Sequence, residues 1–166
     1  MHRRLSARRE LRAEGAAAPY AFNLFSHNAD MDVETGYNGE ETKVVAETRR
    51  ILDAQSLPIG ITCIRVPVLR AHAMALTVEF DEVVSPEEAR ALLAQAPGLR
   101  LVDDREKNHF PMPSEASGAD DVLVGRIRTD IGDPSGRSLA LFVAGDQLLK
   151  GAALNAVQIA ELLLKR

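Results

Sequence analysis

Val122-Leu123-Val124-Gly125-Arg126-Ile127-Arg128 and Ser138-Leu139-Ala140-Leu141-Phe142-Val143-Ala144 are two apolar runs separated by Asp133-Pro134-Ser135-Gly136. Branched and aromatic side chains in short runs favour strands. A Pro-Ser-Gly segment between two such runs is a turn, so the pair reads as an antiparallel hairpin. Working outward, Ala75 to Phe80 alternates and reads as a strand with Leu76, Val78 and Phe80 on one face. Leu99 to Val102 is a short strand, and Asp103 to Asp120 is a long polar loop. Ser85-Pro86-Glu87-Glu88 opens a helix, with Ser85 at the cap, Pro86 in the first turn and Glu88 completing a capping box; Gly98 follows that helix.

Toward the N-terminus, Ile61 to Val68 reads as a strand and Ala21 to Phe25 as a short extended run. Between them Ser26 to Gly39 is a polar loop, and Asn38 with Glu41 has capping-box spacing. The helix that follows places Val44, Val45, Thr48, Ile51 and Leu52 on one stripe, and Pro58 and Gly60 end that region. A closing helix from about Gln147 to Lys165 carries a broad apolar face. Strands joined partly by helices and partly by a hairpin make an α+β fold: a mostly antiparallel, mixed sheet with helices on one face.

Composition narrows the function. The 166 residues suit one domain, with 46% hydrophobic and 27% charged residues, ordinary for a globular chain. A net charge of -4 and a pI of about 5.6 argue against nucleic acid as a partner. No apolar run reaches the ~18 residues of a membrane span. The single cysteine excludes an intrachain disulfide and a cysteine-rich zinc site, and no metal site is expected. Neither a Rossmann glycine fingerprint nor a P-loop is present. Residues 1–16 form an Arg-rich leader or remnant segment, with Arg3, Arg4, Arg8, Arg9 and Arg12; Glu10 and Glu14 argue against a transit peptide. The expected compartment is the cytoplasm.

The chemistry concentrates in Cys63-Ile64-Arg65-Val66-Pro67-Val68-Leu69-Arg70-Ala71-His72. A charge on an apolar strand must be paired or must face a cleft. Arg65 either pairs with a structural carboxylate or grips a substrate carboxylate through two parallel hydrogen bonds. His72 is either a hydrogen-bonded histidine at a strand start or a proton-transfer group working near neutral pH. Glu40, Lys43 and Glu47 lie three and four apart, which fits a solvated salt-bridge ladder as well as a substrate contact. Cys63 reads as a small buried hydrophobe rather than a nucleophile. The small residues in Leu149-Lys150-Gly151-Ala152-Ala153-Leu154-Asn155 permit close packing or approach to a ligand.

Several of these blocks together bring a family into view. Tyr20-Ala21-Phe22-Asn23-Leu24-Phe25-Ser26-His27-Asn28, Gly36-Tyr37-Asn38-Gly39-Glu40-Glu41-Thr42-Lys43, Glu47-Thr48-Arg49-Arg50-Ile51, the Cys63 to His72 block, Phe110-Pro111-Met112-Pro113, Val124-Gly125-Arg126-Ile127-Arg128 and Lys150 to Glu161 closely resemble the C-terminal half of aspartate-semialdehyde dehydrogenases. The resemblance implies the fold of glyceraldehyde-3-phosphate dehydrogenase-like C-terminal domains over residues 17–166, with the closing helix at 147–166. It implies NADP-dependent interconversion of aspartyl phosphate and aspartate 4-semialdehyde in lysine, threonine and methionine biosynthesis, through attack by a cysteine thiolate and release of an acyl-thioester by phosphate. By the same resemblance His72 is the base and Arg65 the clamp for the substrate carboxylate. Glu40 then meets the substrate amino group, Lys43 the phosphate, and Asn155 the cofactor. A homodimer is implied as well.

One departure is large. The family's nucleotide-binding half and its catalytic cysteine precede the region matched here, and Cys63 aligns with a strand residue beside the arginine. The chain therefore reads as a fragment, an internally started product or one part of a split enzyme, with no NADP binding or turnover expected from it alone. A non-catalytic dimerisation or binding module derived from the enzyme is the alternative.

Overall fold

The computed structural model describes residues 19–27 and 29–164. The Arg-rich segment expected at residues 1–16 lies outside them, as do residues 165 and 166, where the closing helix is expected to end. The chain divides into two compact units, Met1–Pro67 and Val68–Arg166.

The first unit is built on one capped helix and one small strand pair. Helix α1 (Gly39–Ile51) starts where the sequence places it. Asn38 Oδ1 accepts from the Glu40 and Glu41 backbone N–H groups at 3.1 and 3.0 Å, and the Asn38 N–H donates to Glu41 Oε2 at 2.9 Å. These bonds satisfy donors that a helix start leaves unpaired, worth about 1 kcal/mol in typical caps. Strand β1 (Phe25–Ser26) pairs antiparallel with β2 (Ile64–Arg65).

Three expectations are corrected in this unit. Extended structure from Ala21 to Phe25 gives way to a turn: the Asn23 N–H bonds to the Tyr20 carbonyl at 3.3 Å and Phe22 sits at φ 58°. Only Phe25 and Ser26 form a strand. The strand expected over Ile61 to Val68 contracts to Ile64–Arg65, because Pro67 has no N–H to continue a ladder and its partner strand is two residues long. Val44, Val45 and Thr48 are only half-buried, and Ile51 and Leu52, at 80% and 60% exposed, are not buried at all. A two-residue strand pair offers too little surface to cover the far end of α1.

The second unit holds a four-stranded mixed sheet. Strands β3 (His72–Glu79), β4 (Leu99–Leu101), β5 (Val122–Thr129) and β6 (Ser138–Gly145) lie in the order β3-β6-β5-β4. The β5–β6 and β3–β6 pairs are antiparallel and β4–β5 is parallel, so the expected α+β mixed sheet is present and the hairpin joins β5 to β6. Helix α2 (Pro86–Leu93) carries the Ser85/Glu88 capping box and packs on β4 and β5. Gly98, at φ 76°, provides the left-handed turn that leads into β4. The loop expected from Asp103 to Asp120 contains a short helix, α3 (Pro113–Ala116), against β6.

The core sits under the middle of this sheet. Leu123, Val124, Ile127, Leu139, Ala140 and Ala144 are buried, and Ala71 and Ala116 close over Leu123 and Ala144. Gly125 has no room for a side chain: a Cβ there would lie 1.9 Å from the Val102 carbonyl oxygen and 2.8 Å from Pro111 Cδ. Just beyond it the β5–β6 register slips, with Arg126 at φ 51°. The slip leaves the Ile127 carbonyl outside the ladder, and it accepts from Arg90 Nη2 and from Arg105 Nη2 instead, the latter at 2.9 Å. Arg90 is itself fixed by Asp103 at 2.6 Å.

The closing helix departs from a single span. Leu149–Ala153 is a π-type turn with non-helical backbone at Ala152, and helix α4 (Leu154–Leu164) follows. None of the α4 residues is buried, and Val157, Ile159, Leu162, Leu163 and Leu164 are exposed. Among the described residues no helix is long and apolar enough to cross a membrane.

Candidate functional site

Glu40, Lys43 and Arg65 belong to the first unit. Glu40 sits in the first turn of α1 and Lys43 one turn later, with Lys43 Nζ 3.4 Å from Glu40 Oε1. Exposed pairs of this kind contribute about 0–1 kcal/mol, so neither side chain is firmly committed to the other.

Arg65 occupies β2 opposite Phe25. Its side chain has no hydrogen-bond or ionic partner among the described residues, and its Nε is buried. A guanidinium held in that state attracts an anion with two oxygens. The structural-carboxylate reading of Arg65 therefore has no carboxylate to support it among the described residues.

What holds β2 against α1 is Glu41, whose role the sequence showed only in part. Its Oε2 completes the capping box, while Oε1 accepts from the Cys63 backbone N–H at 2.8 Å. Glu41 is 6% exposed. The donated Asn38 and Cys63 N–H groups hold its carboxyl below the usual range. One carboxylate thus ties the helix start that carries Glu40 and Lys43 to the strand that carries Arg65. Burial, together with Glu41 and Glu40, pushes the Cys63 thiol up against the opposing pull of Arg65. A thiol so placed stays protonated and makes a poor nucleophile.

His72 and Asn155 belong to the second unit. His72 opens β3, exposed, opposite Gly145 of β6. The chain entering it is fixed on several sides. The Ala71 N–H donates to Gln147 Oε1 at 2.9 Å, Arg70 Nη2 lies 2.7 Å from Asp146 Oδ2, and Ser117 Oγ donates to the Arg70 carbonyl at 3.3 Å. Ala71 is buried and holds φ 77°, a conformation that side-chain-bearing residues avoid and that tertiary contacts must impose.

Asp146 is the hub of this arrangement. It is 1% exposed and accepts from the Gly118, Leu148 and Leu149 N–H groups at 2.7, 2.9 and 3.3 Å as well as from Arg70. Burial raises its carboxyl, but the Gly118 and Leu148 bonds and Arg70 outweigh that and hold it below the ordinary value. Asp146 and Gln147 were not singled out from the sequence. Arg70, inside the block that was, carried the available signal: a second cation on that strand needs an anion somewhere.

Asn155 is an exposed amide on α4, with no hydrogen-bond partner among the described residues. Among those residues no glycine turn links a strand to a helix in the way that cradles a dinucleotide. The described residues do not by themselves make a site for NADP. Nor does any group of three or more His, Cys, Asp or Glu gather among them as a metal site.

Both the sequence and the fold have relatives among known proteins. Residues 3–150 match the family described as semialdehyde dehydrogenase, dimerisation domain. An aspartate-semialdehyde dehydrogenase from Synechocystis sp. is 54% identical over 154 residues, covering 93% of this chain and 45% of that protein. One from Aquifex aeolicus is 44% identical, covering 87% and 42%. The chain thus spans a little under half the length of these curated relatives. Among solved structures, aspartate semialdehyde dehydrogenase II from Vibrio cholerae, complexed with ASA, superposes with a TM-score of 0.81 at 38% identity over 90% of this chain and 43% of that one. The Candida albicans enzyme, solved with NADP, shares the fold with a TM-score of 0.69 at 21% identity.

Proposed function

Because this chain belongs to the semialdehyde dehydrogenase dimerisation-domain family, we propose that it supplies the substrate clamp, the proton-transfer base and the self-association surface of an NADP-dependent aspartate-semialdehyde dehydrogenase. The working domain runs over residues 17–166, closing helix included, and acts in cytoplasmic lysine, threonine and methionine biosynthesis. NADP and the nucleophilic thiol come from a nucleotide-binding half, joined to this chain or separate.

The observation that carries the reading is Arg65, whose side chain has no partner among the described residues and whose Nε is buried. Its guanidinium takes the substrate carboxylate as a fork. Glu40 receives the substrate ammonium, and Lys43, released from its weak pair with Glu40, takes phosphate. Carboxylate for ammonium and cation for anion let the three side chains read aspartyl phosphate from both ends. His72, presented at the first position of β3, accepts the proton that the attacking thiol must lose and returns one later in the cycle. Held at its backbone by Gly145 and, through Ala71, by Gln147, its ring is presented from a fixed anchor.

The test is kinetic. In the complete dehydrogenase, Arg65→Ala raises KM for aspartate semialdehyde by roughly a hundredfold, and Arg65→Lys, which lacks the fork, recovers little of it. An unaltered KM in Arg65→Ala overturns the reading. The purified 166-residue chain alone should show no NADP-dependent oxidation of aspartate semialdehyde; turnover by it would remove the need for a nucleotide-binding half.

A further inference from the structure

The pairing of β1 with β2 decides which side chains share a face. Phe25 opposes Arg65 and Ser26 opposes Ile64. One residue further the His27 N–H donates to the Cys63 carbonyl at 3.3 Å, so the antiparallel geometry continues past the strand ends. Opposed residues point to one side of such a pair, and residues two apart share that side. Phe25, His27, Cys63 and Arg65 therefore line one face, with His27 diagonal to Arg65. Diagonal neighbours in antiparallel pairs stand about 7–8 Å apart, within reach of long side chains.

The protonation of His27 is set by its neighbours. The Ala29 N–H donates to Nδ1 at 3.2 Å, so the proton of the neutral ring sits on Nε2. Nε2 has no hydrogen-bond partner among the described residues, and the residue is half-buried. Burial and Arg65, with a smaller push from Lys43, lower the His27 pKa from its ordinary 6.5, against the opposing pull of Glu40 and Glu41. With its pKa held below the ordinary 6.5 the ring is uncharged near neutral pH, and its Nε2–H has no acceptor among the described residues. The groups acting on it are the very side chains of the candidate site, Arg65 from β2 and Glu40, Glu41 and Lys43 from α1.

We propose that His27 is a substrate-binding residue whose Nε2–H donates to the carboxylate held by Arg65. The inference rests on the reading of Arg65 as the carboxylate clamp. A carboxylate offers about four lone-pair sites and an arginine fork uses two, which leaves room for a further donor. A neutral donor adds direction without a third positive charge beside Arg65 and Lys43. Its hydrogen bond fixes the carboxylate plane, and so the angle at which the aldehyde end of the substrate is presented.

Steady-state kinetics of the complete dehydrogenase, with aspartate semialdehyde and phosphate varied separately, tests this. His27→Ala raises KM for the semialdehyde about tenfold, with a smaller effect on kcat and on KM for phosphate. His27→Gln, whose amide keeps an N–H donor, recovers most of the loss and shows that the defect is not one of folding. An unchanged semialdehyde KM in His27→Ala, a rise in phosphate KM alone, or no recovery by His27→Gln overturns the proposal. Arg65→Ala in the same assay separates the two claims. If it leaves the semialdehyde KM unchanged, the clamp itself fails. If it raises KM while His27→Ala does not, the clamp stands and only the role of His27 falls.

Discussion

Glu41 and Cys63 are joined by a 2.8 Å hydrogen bond from the Cys63 backbone N–H to Glu41 Oε1, while the other carboxylate oxygen caps α1. The same side chain thus holds a helix start and a strand 22 residues apart in sequence. Glu41→Gln leaves one oxygen for two donors, one of them inevitably facing the amide NH2. The expected result is a melting temperature lower by roughly 5 °C. It comes with a raised semialdehyde KM, because Arg65 and the Glu40–Lys43 turn lose their common anchor. A loss of stability with an unaltered KM would show that the tether does not position the site.

His72→Ala should lower kcat about a hundredfold or more, with KM for the semialdehyde changed far less. Single-turnover measurement of acyl-enzyme formation locates the defect. A kcat within a few-fold of wild type removes His72 as the base.

Cys63→Ser should leave acyl-enzyme formation and kcat nearly intact. Burial and the two nearby carboxylates keep the thiol protonated, so iodoacetamide should label Cys63 far more slowly than an unperturbed cysteine at pH 8. Rapid labelling at that pH, or loss of the acyl-enzyme in Cys63→Ser, would reverse the assignment.

Asp146 gives the entry to β3 a pH dependence of known sign. Its folded pKa lies below the ordinary 3.8, so the unfolded chain binds its proton more readily than the folded one. The stability it contributes is fully present above that ordinary value and drains away as pH falls below it toward the folded pKa. Acid titration followed by near-UV circular dichroism should show this loss in the wild type. In Asp146→Asn the same pH range should be flatter and the neutral-pH stability lower. An identical acid profile in the two proteins would exclude Asp146 as the hub.

Local chemistry was legible in the sequence where one short segment sufficed. Both capping boxes, at Asn38/Glu41 and Ser85/Glu88, start their helices as spacing dictates, because a cap is satisfied within four residues. The β5–β6 hairpin and the α+β class follow from alternation and turn residues. The extent of β2 was not legible, since a strand ends where its partner ends and β1 offers only two residues. Ile51 and Leu52 show the same limit: a stripe names the apolar face but not whether anything covers all of it. In the site, residue types with an evident chemical task were visible, as with Arg65 and His72. The supporting contacts, from Glu41 to Cys63 and from Asp146 and Gln147 to the entry of β3, are invisible to pattern because each crosses a fold-made contact. His27 was visible only as one polar residue in a loop. Its place on the face of Arg65 depends on a strand register that only coordinates provide.

Gly125 offers a way to read selection itself. A Cβ there collides with backbone, so the constraint belongs to folding and holds whatever the protein does. Arg65 and His72 carry no such steric demand. In a saturation library sorted only for a folded, soluble product, position 125 should stay glycine while positions 65 and 72 drift. Sorted instead, within the complete dehydrogenase, for rescue of a host unable to make aspartate semialdehyde, all three should be held. The contrast between the two libraries separates inherited architecture from working chemistry, with Gly125 as the internal standard for each.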